Sequence, residues 1–284
     1  MRVFRAPKEV YPHPTCMGLG TFDGVHLGHR AVLLRVTERA HQEGWRSMAL
    51  TFDPHPLEVL APPPDPFLLT TLEERLDLFR ALGLQAALVL RFDEALRSTE
   101  PETFVEEILV RCVGVRAVVC GPDFTFGRDR RGNVGLLRTL GAHWGFDVEV
   151  CPQIVRQGAP ISSTRIRNLL RQGEVEAAAD LLGRPYTVVG RIEGTRRAGS
   201  SFTAPLTVPP RRLLPASGTY EVRVQGAQDV QGTAHVEGGA VLLALPQPVE
   251  GSVAVAFLRR VRHEPTAPPS GPAGAAFAPS EGAW

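Results

Sequence analysis

Two histidines, His26 and His29, stand with only Leu27 and Gly28 between them in the stretch GTFDGVHLGH, residues 20–29. The residues just before this stretch read as the end of a buried strand, and those just after it carry the apolar spacing of a helix. A helix start offers unpaired N–H groups and the positive end of the backbone dipole. Gly20, Gly24 and Gly28 let the backbone approach a ligand, and the imidazoles add directed donors, so the corner suits a phosphate. Two other readings use the same residues. His13, Cys16, His26 and His29 can be written as four zinc ligands, but Pro12 and Pro14 stiffen one half and an apolar strand separates the pairs. Histidines also occupy helix ends with no chemical duty. A second cluster lies in ISSTRIR, residues 161–167. There Ser163 and Thr164 bring hydroxyls to a helix start and Arg167 brings a guanidinium fork one turn on, a set that serves phosphate oxygens or simply caps the helix.

Composition narrows the chemistry. The 284 residues carry a formal charge of +1, which gives no global pull toward nucleic acid or an anionic membrane. Lys8 is the only lysine, so no G-x-x-x-x-G-K-[ST] phosphate loop exists, and any nucleotide must be held by another device. The opening residues, MRVFRAPKEVYP, are charged and proline-bearing, and no run approaches the roughly 18 apolar residues of a membrane span. A cytoplasmic location is the expectation. Cys16, Cys112, Cys120 and Cys151 form no C-x-x-C pair and read as reduced, mostly buried thiols.

Positioning the two clusters falls to an α/β framework. Apolar runs PTCMGLG, RSMALTF, QAALVLRF, VRAVVCG and FDVEVC read as strands. Between them lie helices: one closing on Gly44, one opening with a Thr71-x-x-Glu74 capping box and ending at Gly83, and one with Pro101 in its first turn. Strand and helix in alternation imply a parallel sheet covered on both faces, with ligands beyond the carboxyl ends of its strands, where His26 and His29 fall. After two short helices that stop at Gly183 and Pro185 the texture changes. YTVVGRIEG, GTYEVRVQG, GTAHVEGG, AVLLAL and SVAVAFLRRV read as strands broken by Gly and Pro, and predict a small all-β barrel. The boundaries expected are 1–184, 185–263, and a Pro-, Gly- and Ala-rich tail, 264–284, with too little to bury to be ordered.

With these segments in view, GTFDGVHLGH resembles the H-x-G-H signature of the nucleotidyltransferase superfamily. TFDPHPLEVL (51–60), GPDFTFGRDRRGN (121–133) and ISSTRIRNLL (161–170), in that order, narrow the resemblance to the prokaryotic bifunctional riboflavin kinase/FMN adenylyltransferases, also called FAD synthetases. The resemblance implies a Rossmann-like nucleotidyltransferase domain followed by a β-barrel, ATP and FMN as substrates, Mg²⁺ as cofactor, and flavoenzymes as acceptors of the FAD made. It implies catalytic duty for His26, His29 and Arg167. It implies ATP contacts at Gly20, Thr21, Phe22, Asp23 and Gly28, and at Ser162, Ser163 and Thr164. On the flavin side it implies a wall of Phe52, Pro54, His55 and Pro56, with Asp123, Phe124, Phe126 and Asn133 around it. No metal ligand follows from it. The chain departs from the family at Thr21, usually Asn, and at Thr125, often basic. Adenylyl transfer suits these residue types because the attacking FMN phosphate is already an anion, so the site needs donors that position and neutralise rather than a side-chain nucleophile.

The second domain departs further. In the family a G-F-P-T-A-N segment helps hold Mg²⁺ and nucleotide phosphates for riboflavin phosphorylation, and a later Glu activates the ribityl hydroxyl. Here the stretch is GSSFTAPLTVPP. Read without a gap, Thr becomes Ala204 and Asn becomes Leu206; with one gap Thr203 and Ala204 survive and Asn becomes Pro205. Asn133 and Asn168 are the only asparagines in the chain, so no realignment restores it. Glu237 and Glu250 sit in turn-like contexts, and the barrel is expected to lack kinase activity. The alternatives are a fully bifunctional enzyme, transfer to another acceptor such as nicotinamide mononucleotide or phosphopantetheine, and a flavin- or nucleotide-binding regulator without catalysis.

Overall fold

The computed structural model of the protein describes residues 1–60 and 66–261. The tail expected to be disordered, 264–284, lies outside the described residues. Six strands form the first sheet: β1 (Arg2–Phe4), β2 (Thr15–Leu19), β3 (Arg46–Phe52), β4 (Ala86–Leu90), β5 (Val115–Cys120) and β6 (Asp147–Val150). Their order across the sheet is β1-β4-β3-β2-β5-β6, and every pairing is parallel. β2 is central, with Met17 opposite Met48 on one side and Val118 on the other. Its neighbours β3 and β5 are reached in opposite directions along the sheet. That reversal opens a crevice beyond the ends of β2 and β5.

Both faces of the sheet are covered, which is why the strands are apolar throughout rather than alternating. Helix α1 (Leu27–Glu43) packs Val32, Leu33, Val36 and Ala40 on one face, and ends on Gly44 at φ 68°. Helix α2 (Leu72–Ala81) joins the same layer, opened by a complete Thr71–Glu74 capping box. The other face carries α3 (Phe104–Val113), which is wound as a π-helix, and α4 (Val134–Trp144).

Two further helices, α5 (Ser163–Gln172) and α6 (Val175–Leu182), precede the barrel. The barrel strands are β7 (Tyr186–Ile192), β8 (Arg196–Ala198), β9 (Ser201–Thr207), β10 (Gly218–Gln225), β11 (Asp229–Glu237), β12 (Ala240–Leu245) and β13 (Gly251–Arg260). They pair antiparallel in the order β7-β13-β10-β11-β12-β9-β8, and the β7–β9 pairing, Ile192 against Leu206, closes six of them into a barrel. Ile166 and Leu170 of α5 and Val175, Ala178, Leu181 and Leu182 of α6 belong to the same buried cluster as the barrel interior. The chain-wise boundary near residue 184 is therefore crossed by one continuous core.

Candidate active site

Strain marks the corner between β2 and α1. Phe22 and the β-branched Val25 hold left-handed backbone, φ 51° and 38°, with Gly24 at φ 81° between them. Such conformations persist only where the surroundings over-determine them, and they gather at ligand sites. Here Arg184 Nη2 donates to Gly24 O at 2.7 Å and its Nη1 to Val25 O at 3.1 Å. Beneath the turn Arg75, fully buried on α2, donates from Nη1 to Thr21 O and to Thr51 Oγ1, both at 2.7 Å.

His26 is the N-cap of α1: its Nδ1 accepts the His29 N–H at 3.2 Å, which leaves the proton of the neutral ring on Nε2. The two imidazoles stack with centroids 3.6 Å apart, and Phe22 meets His29 edge-on at 5.3 Å. Burial pushes His26 down to about 4, with Arg184 adding to the effect and Asp23 opposing it. Burial likewise drives His29 well below its usual range, helped by His26, Arg75 and Arg167. Both rings are neutral donors at pH 7. Nδ1 of His29 is buried without a hydrogen-bond partner, a polar group left open where a ligand belongs rather than where stability is made. Gly28 leaves room for this packing: a Cβ there would stand 3.1 Å from His26 Cε1 and press on the ring.

Asp23 sits under the turn, entirely buried. Its carboxylate accepts from Leu69 N at 3.1 Å, from Thr70 N and Thr70 Oγ1 at 2.9 Å, and from Arg167 Nη2 at 2.6 Å. Burial alone would raise its pKa, but Arg167 and Arg75 outweigh that and hold it below the ordinary carboxylate value. Arg167 also donates from Nε to Phe67 O at 2.9 Å, and it lines the cleft. Ser163 Oγ donates to Asp23 O at 2.9 Å, and Ser162 caps α5 by accepting Arg165 N.

These groups border a cleft of about 820 Å³ that runs from the ends of β2 and β5. Of the residues singled out in the sequence, Gly20, Thr21, Phe22, His26, Gly28 and His29 line it. Ser162, Ser163 and Arg167 join them. Phe52, His55, Pro56, Asp123, Phe124 and Phe126 line it as well, with His55 near enough to Asp23, Arg167 and Arg75 to feel their charges. Four do not reach the wall. Asp23 is buried, Pro54 and the exposed Thr164 are not among the lining residues, and Asn133 is the N-cap of α4, its Oδ1 accepting Leu136 N at 3.0 Å. Sequence reasoning missed Phe92, which packs edge-on against Phe52 at 5.6 Å in the apolar half, and the supporting arginines Arg75 and Arg184. Burial also lowers His55, to about 4. His13 is exposed and bonds Pro14 O, and among the described residues no three His, Cys, Asp or Glu side chains gather as a metal cage.

The comparisons with known proteins meet this geometry. Residues 8–165, the span that holds β2 to β6 and most of the cleft lining, match the FAD synthetase family. The chain belongs to that family. The bifunctional riboflavin kinase/FMN adenylyltransferase of Escherichia coli K12 is 32% identical over 84% of this chain and 78% of its own. The enzyme of that name from Pseudomonas fluorescens is 36% identical over 83% and 77%. A Geobacillus thermodenitrificans protein described as a putative bifunctional enzyme of the same kind is 40% identical over 66% of this chain and 99% of its own. A solved structure described as a macrolide-efflux protein from Streptococcus pneumoniae superposes with a TM-score of 0.81, covering 93% of this chain and 91% of that one, at 24% identity. At that identity it speaks for the fold of this FAD synthetase family member, barrel included, and not for its chemistry. No helix among the described residues is long and apolar enough to cross a membrane.

Proposed function

We propose that the protein makes FAD by transferring AMP from ATP to FMN with release of pyrophosphate, and that its barrel no longer phosphorylates riboflavin. The observation that carries the first part is the junction of two unlike walls in one cleft. Neutral His26 and His29 on a helix start share it with Phe52, Phe92, Phe124 and Phe126, which suit a flat aromatic ring.

In the transfer a phosphate oxygen of FMN forms a bond to the α-phosphorus while the bond from that phosphorus to the β-bridging oxygen breaks, and no proton need be taken from the nucleophile. His26 Nε2–H, the His29 ring and the N–H groups opening α1 donate to the oxygens on which charge grows. Arg167, which lines the cleft, adds a guanidinium donor from α5. Asp23 holds Arg167 in place and does not touch substrate. The cleft carboxylates are Asp123 and Asp129, and with no protein cage the donor set fits Mg²⁺ carried in on the triphosphate, where it would neutralise the leaving pyrophosphate.

For the barrel, the support is chemical. Ala204 is buried in the interior and Pro205 pairs with Leu242 on β9, so neither position offers a metal or phosphate ligand. Glu237 and Glu250 are exposed at strand ends, Glu237 beside His235.

ATP labelled at either its α- or its γ-phosphate tests the transfer. With FMN and Mg²⁺ the α label is expected in the flavin product and the γ label in pyrophosphate. The γ label in flavin, or no labelled flavin, would overturn the reading.

A further inference from the structure

A short segment of the first domain, Phe67–Thr71, faces the site on one side and the barrel on the other. On the site side Leu69 N and Thr70 N hold the Asp23 carboxylate, Thr70 Oγ1 accepts Gly24 N at 3.0 Å, and Phe67 O accepts Arg167 Nε. On the barrel side the backbone runs parallel to Arg211–Leu213. Phe67 N and Leu68 N donate to Arg211 O at 3.0 and 2.9 Å, and Leu213 N donates to Leu68 O at 2.9 Å. Arg212 completes the grip. Its Nη1 donates to Leu68 O at 3.0 Å and to Tyr186 Oη, its Nη2 to Thr187 O at 2.5 Å, and its Nε lies 3.1 Å from Glu74 Oε2. Glu74, the capping-box residue of α2, also accepts Val189 N of β7 through Oε1 at 2.9 Å. The Arg212 side chain is 1% exposed and that of Glu74 10%, so the pair is a buried one.

A buried arginine that hydrogen-bonds Leu68 O, Tyr186 Oη and Thr187 O and faces the Glu74 carboxylate as an ion pair, its Nε left without a hydrogen bond, is costly to desolvate and is retained where it fixes geometry. What it fixes here is the one segment whose amides grip Asp23, whose carboxylate in turn orients Arg167. We propose that the barrel acts as a brace for the adenylyl-transfer site, with Arg212 as a positioning residue for the reaction. The inference deepens the proposed transfer and rests on it for its kinetic half. It gives the barrel a task that needs no kinase chemistry.

The test uses the full chain with three substitutions. Arg212→Met keeps length and loses every donor; Glu74→Gln keeps the capping acceptor and removes the charge facing Arg212. Val230→Ala opens the barrel core on β11, away from the strap, and serves as a matched loss of stability. Assays run well below each melting point. A displaced donor is expected to lower kcat about ten- to a hundredfold in Arg212→Met, with KM for FMN little changed. Amide exchange at Leu69 and Thr70 is expected to quicken while β2 and β5 stay protected, and Val230→Ala is expected to keep kcat within about twofold.

Wild-type kcat in Arg212→Met overturns the proposal, as does a fallen kcat with Leu69 and Thr70 still protected. An equal fall in Val230→Ala also overturns it, because barrel stability alone would then explain the effect. If Arg212→Met does not fold, Glu74→Gln is judged by the same two readouts. If the wild type makes no FAD, the transfer reading has failed, and the exchange arm alone then decides whether the strap holds the segment.

Discussion

Two imidazoles stacked at 3.6 Å tolerate one another because both are neutral, and that neutrality fixes how the site responds to acid. In the unfolded chain His26 and His55 take protons near their ordinary value of about 6.5; folded, each resists until about 4. Below 6.5 the unfolded state binds more protons, so stability is complete above that pH and falls as the pH drops toward 4. The loss reaches roughly 3 kcal/mol per residue, and thermal melts at pH 7.5 and 4.5 should show it as a lower midpoint in acid. Melting points that do not move would mean these rings are not buried neutral. For the chemistry, His29→Ala is expected to cost on the order of 10² in kcat/KM with the fold intact. Wild-type turnover in both His29→Ala and Arg167→Ala would displace the phosphates from this corner. Asp23→Asn is expected to cost several kcal/mol of stability, because Arg167 would stay buried against a neutral amide, and urea unfolding measures it.

At the scale of elements, Gly28→Ala separates packing from propensity. Alanine at the second position of α1 should leave stability unchanged or raise it by up to about 1 kcal/mol, yet its Cβ presses on the His26 ring, so FAD formation should slow while the melting point holds. Equal activity with equal stability would mean the ring position is not critical. Local patterns explain why so much of this layer was legible beforehand. The five apolar runs became β2 to β6, the capping box and Gly44 stop lie where composition put them, and the barrel strands kept their Gly and Pro punctuation. β1 and β8 escaped notice because three residues carry no period, and β9 because the prolines in GSSFTAPLTVPP mask its strand pattern until its partners are known. Pairings distant in sequence were invisible. Asp23 and Arg167 stand 144 residues apart. Arg75 and Arg212 look like ordinary surface charges until the fold buries them, and the capping of α4 by Asn133 shows only once the helix is placed.

Across the whole molecule, sequence texture expects a chain cut near residue 185 to keep transfer activity, whereas the shared core and the Arg211–Leu213 strap argue that it would be impaired. Such a cut uncovers Leu170, Val175, Leu181 and Leu182, a loss of roughly 5 kcal/mol or more. The shortened chain is expected to unfold at lower urea than the full one and to make FAD more slowly; unchanged stability and rate would show the domains to be independent. The molecule thus carries one working site and one silent barrel in the proposed reading. Its most direct test gives the full-length protein ATP and Mg²⁺ with either FMN or riboflavin and follows flavin products by chromatography. FAD from FMN and no product from riboflavin is the predicted result; failure to make FAD from FMN, or steady conversion of riboflavin to FMN or FAD, would contradict it.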